Sequence, residues 1–129
     1  MLGDCKVFSG FSVKSVAEAE TFYRDVLGVE VESSMGLILH FKTMNCFVYE
    51  KPDHQPASFT ILNFEVDNID AAIDDLVKAG VKFEMYDNLP AKQDAKGVLR
   101  NEPYNPEYGP KAIAWFKDPS DNVLALIQK

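Results

Sequence analysis

The 129-residue sequence holds only two cysteines, two histidines and one tryptophan, and it has no surplus of basic charge. Cys5 and Cys46 are too few and too far apart for a disulfide scaffold or a zinc site. Both are read as reduced thiols that act as small packing residues. No apolar run approaches the roughly 18 residues that would span a bilayer. Met1 to Gly10 also lacks a basic start followed by an apolar stretch, so the expectation is a cytoplasmic protein with no membrane partner. With 13 basic against 20 acidic residues the net charge is -7, which repels phosphate backbones and excludes general nucleic-acid binding. That charge suits a cationic ligand, or simply a solvated surface. Nucleophilic triads, phosphate loops, paired-cysteine motifs and dinucleotide fingerprints are all missing.

What is present is a globular composition, 47% hydrophobic and 26% charged, in a chain of single-domain length, residues 1–129. The pattern along it repeats. Lys6 to Val13 reads as a strand. Ser15 then opens "VAEAETFYRDVLG", where Val16, Ala19, Phe22, Tyr23, Val26 and Leu27 recur at helical spacing; Ser15 with Glu18 has the form of a capping box. Val29 to Ser33, Leu37 to Lys42 and Asn45 to Lys51 follow as strands. The second half has the same order: a strand over Ser58 to Val66, a helix opened by Asn68 in "IDAAIDDLVKAG", then strands over Val81 to Tyr86, Lys111 to Lys117 and Asn122 to Gln128.

Superposing the halves sets Phe8 opposite Ile61, Gly28 opposite Gly80 within one residue, and Asn45 opposite Asn122. Unit one covers about 6–51, a linker about 52–57, and unit two about 58–129. Each unit alone would expose one sheet face, so the two are expected to pack together and share a core. Unit two also carries an irregular insertion, about 87–110, with four of the seven prolines and with Tyr104 and Tyr108. A segment of that kind predicts a partly ordered flap over a pocket.

The paired strand-helix-three-strand units, with "ETFYRDVLG", "FEVDNIDAAIDDLVKAG" and "FKDPSDNVLALIQ" in order, resemble the vicinal oxygen chelate superfamily. Glyoxalase I, extradiol dioxygenases, and fosfomycin- and bleomycin-resistance proteins belong to it. The resemblance implies an α+β fold in which two paired βαβββ units form a curved mixed sheet around a cleft, with helices outside. It also implies frequent dimers, so a homodimer is expected. In the enzymes of the superfamily a divalent metal sits in the cleft, held from the first and last strands of each unit.

Carried across, those positions fall on Phe8, Val48, Ile61 and Ala125, none of which has a donor for a metal. A slip of one residue offers Ser9, Tyr49, Leu62 and Leu124 or Leu126 instead. The expectation is therefore no metal and no cofactor, and a dry cleft that binds a small organic molecule, cationic or aromatic, by shape, as the bleomycin-resistance branch does. Strand alternation extends the inner face to Ser12, Phe59 and Asn63 on the first strands and to Cys46, Glu50, Val123 and Ile127 on the last. Aligning "ILHF" with "AWFK" places His40 opposite Trp115, the pair chosen first for ligand contact. His40 reads either as a satisfied rim histidine or, with Glu50, as an acid/base; Trp115 reads as core or as a stacking platform. His54 is placed in an exposed linker, and Asp118, Asp121 and Asn122 in a hairpin turn. Two alternatives stand beside metal-free binding: an enzyme of the same fold using His40 and Glu50, and a dimeric interaction module.

Overall fold

A computed structural model describes all residues, 1–129. The chain divides into two compact units, Met1–Pro56 and Ala57–Lys129. Unit one is built from β1 (Ser9–Val13), α1 (Val16–Thr21), β2 (Glu30–Ser33), β3 (Leu37–His40) and β4 (Asn45–Glu50), with sheet order β1-β4-β3-β2. Unit two contains β5 (Thr60–Glu65), α2 (Ile69–Lys78), β6 (Leu99–Arg100), β7 (Ala112–Lys117) and β8 (Val123–Gln128), in order β5-β8-β7-β6. In each sheet the first strand runs parallel to the last and the remaining pairs are antiparallel. This is an α+β fold of two βαβββ units.

Both helices start as their sequences dictate. Ser15 Oγ accepts from the Glu18 amide at 3.2 Å, and Asn68 Oδ1 accepts from the Ala71 amide at 3.1 Å. The first helix differs from a regular one after Thr21: Phe22–Val26 forms a wider π turn, with the Leu27 amide donating to the Phe22 carbonyl at 3.0 Å. Tyr23, within this turn, is fully buried beside Phe11 (ring centroids 5.9 Å apart). Gly28 and Gly80 close the helical segments with φ of 71° and 97°, the left-handed region that favours glycine.

The hairpin at the end of unit two turns on Asp118. Its buried carboxylate accepts from the Ser120 and Asn122 amides at 2.8 and 3.0 Å and from Asn122 Nδ2 at 3.0 Å. Asp121 takes the left-handed position of the turn, φ 65°. These side chains serve the turn.

One expected strand is replaced. Val81 to Tyr86 does not run as a strand; only Phe83 bridges to Phe116, while β6, inside the insertion, pairs with the other end of β7. At the end of this segment the Gln93 side chain takes up local backbone groups. Its Oε1 accepts from the Tyr86 amide at 2.7 Å, and its Nε2 donates to the Glu84 and Gly97 carbonyls at 2.9 and 2.7 Å.

Candidate functional site

In unit one, alternation divides the sheet into two faces. Phe11, Val13, Leu37, Leu39, Cys46 and Val48 lie on the buried face, in register with one another, and Phe11 meets Tyr23. Burial raises the Cys46 thiol to about 11, so it stays neutral and behaves as an apolar group. The open face carries Gly10, Ser12, Ile38, His40, Phe47 and Tyr49, with Phe47 and Tyr49 stacked at 6.0 Å.

This corrects the inner face counted for β4. Val48 is fully buried on the opposite side, and the stacked pair Phe47 and Tyr49 occupies the open face in its place. Glu50 also leaves the inner set: its Oε1 accepts from the Val16 amide at 3.0 Å, at the start of α1. A shift of one residue reverses every side chain of a strand, which is why the count failed throughout β4.

His40 does have an acid partner, and it is Glu32. His40 Nε2 lies 3.2 Å from Glu32 Oε2, and Nδ1 lies 3.1 Å from Asn45 Oδ1. Glu30 pairs with His40 in the β2–β3 ladder, so Glu32 reaches it diagonally, a relation legible in the hairpin spacing. Ser12 Oγ lies 2.7 Å from His54 Nδ1, and the His54 amide donates to the Lys51 carbonyl at 3.0 Å. His54 is thus half-buried and tied to β1 rather than solvent-exposed. Phe8 precedes β1 and is 69% exposed.

Unit two has its own open face. Asn63, Ala125 and Trp115 form one row across β5, β8 and β7, with Val123 and Ile127 on the same side. Tyr86 meets the Trp115 ring edge-on, centroids 5.6 Å apart, and Ala125 is fully buried in the row. Ile61 falls at the bulge between Thr60 and Leu62, which takes it out of the ladder and breaks the alternation assumed for it. Phe59 precedes β5 and is 68% exposed.

The insertion forms a groove of about 720 Å³ within unit two. Leu99, Ile113, Tyr104 and Tyr108 supply apolar and aromatic surface, and Arg100, Asn101 and Glu102 its polar groups. The donors are already committed. Arg100 binds Asp70 at 2.8 Å and Asp94 at 3.1 Å, and Asn101 Nδ2 donates to the Asn105 and Gly109 carbonyls at 2.7 and 3.2 Å. Lys96 bridges Asp70 and Asp74 at 3.3 and 3.0 Å, so the insertion is fastened to α2. The hydrogen bond from Arg100 holds the Asp70 carboxyl below its ordinary range. For Asp94 burial opposes ionisation, but the amide of Val98 and the Arg100 guanidinium outweigh it, and its pKa is also lowered. Tyr104 and Tyr108 are 50% and 80% exposed, and Lys111 Nζ lies 5.6 Å from the Tyr104 ring centroid. Trp115 lies two residues beyond Ile113 on the same side of β7.

A model of the Glyoxalase/Bleomycin resistance protein/Dioxygenase superfamily matches residues 8–126. The chain belongs to this superfamily. By sequence no curated protein matches it. Among solved structures it is similar to a glyoxalase family protein of Bacillus anthracis (16% identity, TM-score 0.69, 98% of this chain and 95% of that one). It is also similar to TnmS3, an antibiotic binding protein from a Streptomyces species (21% identity, TM-score 0.66, 99% and 98%). A third is the fosfomycin resistance protein FosX of Listeria monocytogenes (13% identity, TM-score 0.68, 96% and 90%). At these identities the likeness is one of fold. No helix is long and apolar enough to cross a membrane.

Superfamily enzymes hold a divalent metal, so the donor set here bears on the chemistry. No three His, Cys, Asp or Glu side chains converge to hold an ion. Both His40 nitrogens are engaged by Glu32 and Asn45, and the positions carried over from the family, Phe8, Val48, Ile61 and Ala125, all bear hydrocarbon side chains. The residues do not fit the metal.

Proposed function

We propose that this chain binds a small organic molecule, aromatic or cationic, without a metal, and that the ligand sits in the Tyr104–Tyr108 groove of unit two. The observation that carries this reading is the groove itself. Its volume of about 720 Å³ suits a drug-sized ligand, since such sites run from about 300 to 1,000 Å³. Tyrosine faces supply stacking area, and with Arg100 and Asn101 already bonded the side-chain polar groups left to a ligand are phenol hydroxyls, the Asn105 amide and the Glu102 carboxylate. Such a lining favours a positive charge over a negative one. TnmS3 shows that the fold can bind an antibiotic. A homodimer is part of the proposal, to be read by light scattering.

The test is calorimetric titration with ethidium, a flat aromatic cation, in buffer containing a chelator. Saturable binding that weakens about tenfold in Tyr108→Ala is expected, equivalent to about 1.4 kcal/mol. No saturable heat, or binding untouched by Tyr104→Ala and Tyr108→Ala, would reject the reading.

A further inference from the structure

A second groove of unit two lies between α2 and the Val81–Gly97 segment and has a volume of about 630 Å³. Its floor is apolar, with Ile73 and Val81 buried, but its walls are not covered: Val77 is 53% exposed and Met85 is 61% exposed. Aliphatic and thioether side chains left in water at a concave site mark a place where apolar matter docks.

The charge around this groove runs against that of the chain. Net charge is -7, yet Lys78 and Lys82 both line the groove and neither enters an ion pair. The one carboxylate in the lining, Asp74, is already held by Lys96 at 3.0 Å. An apolar trough with two unneutralised ammonium groups complements a molecule with an apolar tail and an anionic head.

We infer that this groove is a second binding site, for a free single-chain carboxylate. The tail would lie along Val77 and Met85, and the head would meet Lys78 and Lys82. The site is separate from the Tyr104–Tyr108 groove: the two linings share no residue, and their polar groups favour opposite charges.

The probe is sodium dodecanoate below its micelle concentration, titrated by calorimetry, with dodecyltrimethylammonium as the opposite-charge control. Saturable one-to-one binding of dodecanoate is expected, at least tenfold tighter than of the cationic amphiphile. Charge reversal at the exposed pair, Lys78→Glu with Lys82→Glu, is expected to weaken it about tenfold, and Val77→Asp at least as much. Tyr104→Ala should leave dodecanoate binding unchanged, which separates failure here from failure of the ethidium site. The inference is overturned by absence of saturable dodecanoate binding, by equal binding of the two amphiphiles, or by indifference to the lysine reversal. Binding only to anionic phospholipid vesicles and not to free dodecanoate would overturn it as well.

Discussion

The two units start from one plan and part after the helix. Unit one turns tightly from β2 into β3, with the Ser34 amide donating to the Gly36 carbonyl at 2.9 Å. Its open face ends in a closed polar set, His40 with Glu32 and Asn45. Unit two replaces that hairpin with an insertion, displaces the second strand, and uses the freed length to build a groove. A repeated scaffold tolerates the long loop because the cost of closing a loop grows slowly with its length. Here side-chain bonds from Gln93, Asp94, Arg100 and Asn101 then hold it. One copy keeps a compact sheet and the other carries the recess.

The largest expected effect falls on the turn that unit two alone builds around a buried carboxylate. Asp118→Ala should cost about 2 to 4 kcal/mol in urea unfolding, because three donors lose their acceptor in a buried site. A cost under about 0.5 kcal/mol would show that the turn does not depend on it. Next comes Gln93→Leu. Removing the staple should free the insertion, raise amide exchange over 87–110, and abolish ethidium binding, while exchange in unit one stays unchanged.

The acid-dependent term is smaller. Asp70 and Asp94 have pKa values depressed in the folded chain, so their contribution is present above the unfolded carboxylate range and is lost as pH falls through the lowered folded values. Exchange over 87–110 should therefore rise in acid before exchange in β3 and β4 does; simultaneous loss would remove the distinction between the units. Smallest is the thiol test. Native protein should yield one fast-reacting thiol, exposed Cys5, at pH 8, while Cys46, raised to about 11 by burial, reacts only after unfolding.

Much of this was legible before the structure. Helix caps at Ser15 and Asn68, the Asp118 turn and the duplicated order of elements follow from local chemistry that acts within a few residues. The row of Trp115, Ala125 and Asn63 also followed, since alternation along β7 and β8 is unbroken. Val48 and Glu50 were misplaced because a count from Asn45 carries no information on which face a strand begins. Ile61 was misplaced because a bulge has no sequence signal of its own. The irregular course of Val81–Tyr86 is hidden for another reason: Gln93 bonds the backbone at its end from seven residues downstream, and nothing in a glutamine announces that role. Glu32 as the partner of His40 was within reach, given the hairpin register.

The most direct test is an amide NMR spectrum of labelled protein titrated with ethidium in the presence of a chelator. Shifts are expected to concentrate over Leu99 to Ile113 and at the Trp115 indole, with the Phe47 and Tyr49 amides still. Shifts centred on Phe47, Tyr49 and His40, or binding that vanishes when metal is chelated, would contradict the proposal.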